Sequence, residues 1–402
     1  MLIHWVWYAE LAGISPAQKL HLLEQFRDPE DLYHADPDKL TDVPAPITQA
    51  LEDKDLRHAN AIIEECAVKG IGILPLTAKS YPSRLRNTYD PPLVLYFKGV
   101  IPDWEFVPVI GIVGTRKATP YGMNTAKRFG SQIAACGALV VSGGAAGIDT
   151  KSMEGALDIG KPTVAVLGCG VDVVYPASNK ELFSKVTEQG CLLSEYPPKT
   201  KPAHWHFPER NRIISGMANA LLVVEAPEKS GALITASRAM EQGRDVFAVP
   251  GNIDVDACKG SNALLQDVAA PALTGWDVVK DYQFMYPGKV CRKDPVIPAS
   301  ETVLQVSQTP VIPANTEKES IKNDKKVIDK EEKSTYSVGC GKMPDLTEAE
   351  RILLEKIRPE GILIDALIAQ ADMPAGAVRT MLTKLALKGL VKNHPGGRVS
   401  RK

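Results

Sequence analysis

The sequence predicts an α/β fold, a Rossmann-like doubly wound and mostly parallel sheet, with an N-terminal helical (SAM-like) module before it and a C-terminal winged helix after it. Three observations predict it. Short β-branched runs alternate with helical stretches from about residue 107 to 280, glycine-rich turns follow those runs, and a charged tract poor in apolar residues precedes a short helical tail. The division expected is residues 1–85 for the helical module, 86–285 for the α/β domain, 286–344 for a flexible linker and 345–402 for the winged helix.

Helix signals recur at short intervals at the start of the chain. Ser15-Pro16-Ala17-Gln18 opens one helix: Ser15 can cap free backbone amides, Pro16 suits the first turn, and Gln18 stands where a capping box needs it, ahead of Leu20, Leu22, Leu23 and Phe26. Asp36-Pro37 and Asp42-Val43-Pro44 punctuate further short helices. Such a module is similar to helix-hairpin-helix or SAM-like units, and equally to a neutral helical spacer.

The strands expected next are Val109 to Val113, Ala138 to Ser142, Thr163 to Leu167, Cys191 to Ser194, Ala220 to Glu225 and Asp245 to Val249. Each is nearly all apolar, as strands covered by helices on both faces are, whereas a sheet with one wet face would alternate. The linker follows. It carries the run NTEKESIKNDKKVIDKEEKST, whose opposite charges nearly cancel and which has too few apolar residues to fold alone. Thr347 and Glu350 then form a capping box before Ile352, Leu353, Leu354 and Ile357, with helices near Ile364 to Ala369 and Pro374 to Lys388 and a terminal hairpin in LVKNHPGGRVSRK. Three helices and a hairpin make a winged helix-turn-helix, with Pro374 to Lys388 in the recognition position.

Composition narrows the function. With 402 residues and 44% apolar content the chain can bury a large core in two or three domains. MLIHWVWYAELAG has no basic leader and meets Glu10 early, and nowhere do 18 apolar residues run together, so the expectation is a cytoplasmic protein without membrane contact. Seven scattered cysteines lack metal-ligand spacing and fit reduced thiols. Because the net charge is only −1, any nucleic-acid site must come from a local cluster of positive charge.

In a parallel sheet the loops leaving the C-terminal strand ends meet on one edge, where ligands bind. Here those loops include Gly114-Thr115-Arg116-Lys117 and Ser142-Gly143-Gly144-Ala145-Ala146-Gly147-Ile148-Asp149. The second has the form of a phosphate cradle, with amides turned toward an anion at a helix start, and it equally fits a turn that is glycine-rich for steric reasons. It is neither a P-loop nor G-x-G-x-x-G, and no acidic residue follows to hold a ribose, so no nucleotide cofactor is expected. Phe207 and Pro208 lead into a helix whose first turn would carry Arg210, Asn211 and Arg212. Cations there oppose the helix dipole and ask for phosphate, unless Arg210 or Arg212 pairs with Glu195 or Glu225. The turn from Ser230 through Gly231 to Thr235 adds further amides. His204 and His206 could be imagined as metal ligands, but no third ligand is visible, so no metal is expected.

Taken together, VIGIVGTRKATPYG, VSGGAAGID, TVAVLGCGVDVVYPASN, LLSEYPP, HFPERNRIIS, LLVVEAPEKSGALITASRAMEQGRDVFAVPG and Gly260-Ser261-Asn262 resemble the DNA-processing A family, DprA or Smf. The resemblance implies a non-catalytic protein that binds single-stranded DNA, dimerises through the α/β domain and helps load RecA recombinase on incoming strands during natural transformation. Carried onto matching positions, its pocket comprises Arg116, Lys117, Ser142, Gly143, Gly144, Phe207, Arg210, Asn211, Arg212, Ser230, Gly231 and Thr235. One departure stands out: after Gly147-Ile148-Asp149 the family has Ala-His, and this chain has Ser152-Met153.

Two other functions compete. A nucleotide N-glycosidase of the phosphoribohydrolase type would need a P-G-G-x-G-T-x-x-E loop, and the corresponding turns, at Ser230 to Thr235 and Pro250-Gly251-Asn252, lack its glutamate. A winged-helix regulator is favoured by Arg379, Lys384, Lys388, Lys392, Arg398, Arg401 and Lys402, with no acidic residue from Pro374 onward. That tail fits duplex DNA binding and protein docking equally.

Overall fold

Five helices open the chain: α1 (Leu2–Glu10), α2 (Pro16–Gln25), α3 (Pro29–His34), α4 (Ala45–Leu51) and α5 (Arg57–Lys69). The computed structural model describes residues 1–36, 45–293, 348–357 and 362–371, together with 378, 381, 382, 385, 390–394 and 398–401. It divides the chain into two units, Met1–Val306 and Ser307–Lys402. The capping box of α2 is present: the Ser15 hydroxyl accepts from the Gln18 amide and the Gln18 side chain accepts from the Ser15 amide. Asp28 caps α3 in the same sense, accepting from the amides of Glu30 and Asp31.

The stretch that the sequence reads as helical also contains sheet. Strands β1 (Gly72–Pro75) and β2 (Val94–Gly99) flank the single turn α6 (Ser83–Arg86) and pair antiparallel with each other. Four residues of Gly-Ile-Leu-Pro carry too short a pattern to distinguish strand from loop. The alternation then runs β3 (Val109–Val113), α7 (Pro120–Ala135), β4 (Leu139–Ser142), α8 (Ile148–Asp158), β5 (Thr163–Leu167), α9 (Lys180–Gln189) and β6 (Cys191–Ser194). It continues through α10 (His206–Met217), β7 (Ala220–Val223), α11 (Gly231–Glu241), β8 (Asp245–Ala248), α12 (Lys259–Asp267), β9 (Ala270–Pro271) and α13 (Gly275–Val279). All six expected strands are present, within two residues of the expected ends.

The nine strands are ordered β1-β2-β6-β5-β4-β3-β7-β8-β9, parallel from β6 to β9, with β2 antiparallel to β6. The period of two sorts side chains between faces. Ile110 and Ile112 pack with Phe129 and Ile133 of α7 on one face, while Val109 and Val113 pack with Ile213, Ile214 and Met217 of α10 on the other. Helices α7 and α8 approach so closely that a Cβ on Gly130 would lie 2.0 Å from the Ser152 carbonyl, and one on Gly155 2.0 Å from that of Lys127. Ser152 and Met153, where the family pattern differs, are fully buried, so their departure is absorbed by packing. The N-terminal helices share a core with the sheet: Val6, Trp7 and Tyr8 cluster with Tyr96, Leu167 and Phe183. Fully burying one such large apolar side chain stabilises by about 1.5 to 3 kcal/mol.

The second unit contains α14 (Glu348–Lys356), β10 (Ile362–Leu363), α15 (Ile364–Gln370), β11 (Val391–His394) and β12 (Arg398–Arg401), with sheet order β10-β12-β11. The expected terminal hairpin is therefore present. The proposed recognition helix is described only at Val378, Met381, Leu382 and Leu385, which are helical; Val378, Leu382 and Leu385 are buried against Leu353, Leu367 and Val399. The cap at Thr347, and the linker beyond residue 293, lie outside the described residues. Among the described residues no helix is long and apolar enough to cross a membrane.

Candidate nucleic-acid interface

Strand order reverses at β3, whose neighbours are β4 and β7. Connections leaving the two sides of that point diverge and open a crevice at the C-terminal strand ends. A cleft of about 420 Å³ lies there, lined by Gly114 to Lys117, by Phe207, Arg210 and Asn211 of α10, and by Ser230, Gly231 and Thr235 at the start of α11.

The first loop is built by close approach. A Cβ on Gly114 would lie 2.5 Å from Ile148 and 2.8 Å from the Glu225 carbonyl, so only glycine fits. The Thr115 amide donates to the Glu225 carbonyl at 2.7 Å, and the Thr115 carbonyl accepts from the Ile148 amide at 3.3 Å. Thus pinned, the chain turns Arg116 and Lys117 outward into solvent. Neither forms an ion pair among the described residues. Arg116 instead lies over the Phe207 ring, its guanidinium carbon 4.8 Å from the centroid. Phe207 in turn lies 5.6 Å from the Tyr175 ring at 33°. Beside them Trp205 is 68% exposed, and His206 stacks on Tyr196 at 4.0 Å while its Nδ1 meets the Gly168 carbonyl. His206 is thus placed by an aromatic ring and a carbonyl, and no cluster of three His, Cys, Asp or Glu that could hold a metal is found among the described residues.

The glycine loop after β4 differs from the expected phosphate cradle. Ser142 is fully buried and its hydroxyl donates to the Ile112 carbonyl at 2.6 Å. The amides of Gly143 and Ala145 are directed at the protein's own Asp149 carboxylate, which is largely buried and also lines the cleft. Burial pushes the Asp149 pKa up to about 6, against the opposing pull of the Arg210 charge. What Gly143 and Gly144 offer is shape. They wall a smaller cavity of about 120 Å³ that Tyr175, Phe207 and Arg210 also line.

Arg210 and Arg212 part company. Helix α10 begins at His206, so both stand in its second turn, beyond the helix start where the dipole acts most strongly. Arg210 is 3% exposed, and its Nη1 donates to the carbonyls of Gly143 and Val166. Burial lowers its pKa to about 10, which leaves it charged at neutral pH. Arg212, two residues on, is turned about 200° around the helix. It is 7% exposed; its Nη2 donates to both Glu195 oxygens at 2.6 Å and its Nε lies 3.4 Å from Asp90. Arg212 does not line the cleft, which corrects the expectation that it meets phosphate: of the two alternatives, the ion pair with Glu195 is realised. Glu225 is held by the amide and hydroxyl of Thr119 instead.

The third wall is the start of α11. Ser230 caps α11, its hydroxyl accepting from the Ala232 amide at 3.2 Å, and Thr235 donates to the Gly231 carbonyl at 3.1 Å. Asn211 donates to the same carbonyl at 3.3 Å, tying α10 to α11 across the cleft. Sequence reasoning missed Tyr175 and Asp149 as site residues. Tyr175 carried a signal, an aromatic residue in a segment leaving a strand end; Asp149 carried none beyond its place at a helix start.

Two families match. DNA recombination-mediator protein A matches residues 72–283, and the DprA winged helix domain matches residues 342–397. Protein Smf of Synechocystis sp. is 30% identical over 415 residues, covering 99% of this chain and 98% of its own. DNA processing protein DprA of Bacillus subtilis is 41% identical over 213 residues, covering 53% of this chain and 72% of its own. The solved DprA of Streptococcus pneumoniae superposes with a TM-score of 0.62 at 32% identity, over 70% of this chain and 98% of that one. The two matches cover the sheet domain and the winged helix, the Synechocystis relative spans nearly the whole length, and the chain belongs to the DNA-processing A (DprA/Smf) family.

Proposed function

We propose that this chain binds single-stranded DNA in the cleft at the β3 switch point and does no chemistry on it. One observation carries the reading: an exposed arginine without a carboxylate partner lies on an aromatic face, beside Lys117 and next to Tyr175. Guanidinium and ammonium groups suit phosphates, and the rings suit unstacked bases, which duplex DNA does not present. Arg210 acts from behind. Its bonds to Gly143 and Val166 hold the cleft wall in place, so it positions the site and adds positive potential. Ser230, Gly231 and Thr235 supply the opposite wall.

The nearby carboxylates favour binding over glycosidic cleavage. Asp149 lines the cleft but accepts from the loop amides, and Glu225 is held by Thr119, so both carboxylates are already engaged within the protein. Family membership supports the wider role: a cytoplasmic homodimer, joined through the α/β domain, that protects incoming strands and loads a RecA recombinase on them during natural transformation. Fluorescence anisotropy with single-stranded and duplex oligonucleotides of equal length tests the core of this reading. Tighter single-strand binding without sequence preference is expected. Equal affinity for the two forms, or free base released from nucleoside monophosphates, would overturn it.

A further inference from the structure

At the opposite edge of the sheet, where β7 and β8 begin, a cavity of about 490 Å³ opens between α6, the turn after it and the C-terminal end of α11. Arg84, Arg238 and Arg244 line it together with Tyr89, which is 84% exposed. Two carboxylates line it as well, and each has a partner: Glu241 pairs with Arg238 at 3.0 Å, and Asp90 lies 3.4 Å from Arg212. Arg84 and Arg244 form no ion pair among the described residues, although Arg84 donates through Nη2 to the Tyr286 hydroxyl and lies over that ring at 5.7 Å. Glu105 is close enough for its charge to reach Arg84, but its oxygens accept from the Ser83 amide at 2.7 Å and the Ser83 hydroxyl at 2.6 Å.

Both guanidinium groups are about half-buried. Burial lowers their pKa values, and the charge of Arg84 lowers that of Arg244 further. Arg244 donates to the carbonyls of Gly216 and Arg84, an ordinary way to finish a helix end. That role leaves its Nε buried with no partner, and does not explain why a second cation stands beside it. Two neighbouring, partly desolvated cations without a counterion are costly, and an anion with several acceptor oxygens removes the cost.

We propose that this cavity is a second phosphate site, where Arg84 and Arg244 take a phosphodiester of the same single strand that occupies the Arg116 cleft. One strand then touches both edges of the sheet. The exposed ring of Tyr89 beside the guanidinium pair favours nucleic acid over an acidic peptide, since ring and cation together match base and phosphate. The inference rests on the single-strand reading above, and its test separates the two.

The full chain, Arg84→Gln, Arg84→Lys and Arg116→Ala are each melted with and without inorganic phosphate, and titrated with long oligo-dT over a range of salt. Phosphate is expected to raise the melting temperature of Arg116→Ala, with that rise lost when Arg84→Gln is added and partly restored by Arg84→Lys. Arg84→Gln alone is expected to bind oligo-dT roughly tenfold more weakly, with a salt slope shallower by about 0.7. Phosphate protection that survives Arg84→Gln overturns the site. Protection that vanishes while oligo-dT affinity and slope stay unchanged overturns its assignment to DNA and points to an acidic protein segment. If the unaltered chain fails to bind oligo-dT at all, the single-strand reading itself falls, whatever phosphate does.

Discussion

The guanidinium carbon of Arg116 sits 4.8 Å from the ring centroid of Phe207, although the two side chains leave different loops, one after β3 and one at the start of α10. The contact orients a long flexible cation over a ring; among the described residues Arg116 forms no ion pair, and Asp149 is near enough only for its charge to be felt. A bound strand can therefore use the charge and the ring at once.

Arg116→Ala is expected to weaken single-strand binding similarly for mixed and homopolymer sequences and to make the salt slope shallower by about 0.7, one phosphate contact. Phe207→Ala should weaken binding by about 1 to 3 kcal/mol with little change in slope, because stacking releases no counterions. The exposure of Arg116 predicts an almost unchanged melting temperature for its variant. Binding isotherms at several salt concentrations check the affinities and slopes, thermal melts check the stability, and identical isotherms for both variants and the parent would remove the cleft from consideration.

Arg212→Ala is expected to do the reverse. Removing it leaves Glu195 and Asp90 without their cation in a largely buried setting, at a cost of about 3 kcal/mol of stability. Single-strand affinity of the folded protein should stay within error. Denaturant melts paired with binding measurements decide the matter, and a DNA defect in a stable Arg212→Ala protein would contradict the geometry.

Asp149 makes a pH prediction. Its folded pKa of about 6 lies above the ordinary 3.8, so the folded state binds more proton than the unfolded one between those values and loses stability as pH rises through that window. Asp149→Asn keeps an acceptor for the loop amides and removes the titration. Its stability relative to the parent should improve by about 3 kcal/mol across the window and stay constant above it. Parallel curves of melting temperature against pH would show that Asp149 does not titrate there.

Gly147 and Gly160 form a matched pair. Both have positive φ, +84° and +66°, but a Cβ on Gly147 would lie 2.5 Å from the Thr115 carbonyl, whereas one on Gly160 would meet nothing within 4 Å. Gly160→Ala should cost about 1 kcal/mol from left-handed strain alone. Gly147→Ala should cost more and also weaken DNA binding, since relief of the clash moves the backbone that presents Arg116. Equal stability losses with unaltered binding would separate Gly147 from the site.

Truncation after Pro344 removes the winged helix and should leave most single-strand affinity in place, because every wall of the cleft belongs to residues 113–235. Electrophoretic mobility shifts with single-stranded and duplex probes, run on full-length and truncated protein, provide the check. Loss of nearly all single-strand binding in the folded truncation would move the site to the tail.

The sequence by itself determined the α/β alternation, the six strands from Val109 to Ala248, the Ser15 cap and the loops that meet at the switch point. These are local properties: an apolar run buried on both faces, a capping side chain three residues from its amide, or a glycine where the chain turns can be read without knowing what lies opposite. The hairpin of β1 and β2 was not legible, because a four-residue strand such as Gly72–Pro75 is defined by its partner, Val94–Gly99, more than by its own pattern. Tertiary structure alone decided where each arginine of α10 goes. Arg210 and Arg212 are indistinguishable in the run Pro-Glu-Arg-Asn-Arg, and only the helical turn between them sends one behind the glycine loop and the other to Glu195. Only the tertiary structure, too, turned the amides of Gly143 and Ala145 onto Asp149, since a buried carboxylate takes the nearest donors before any ligand can.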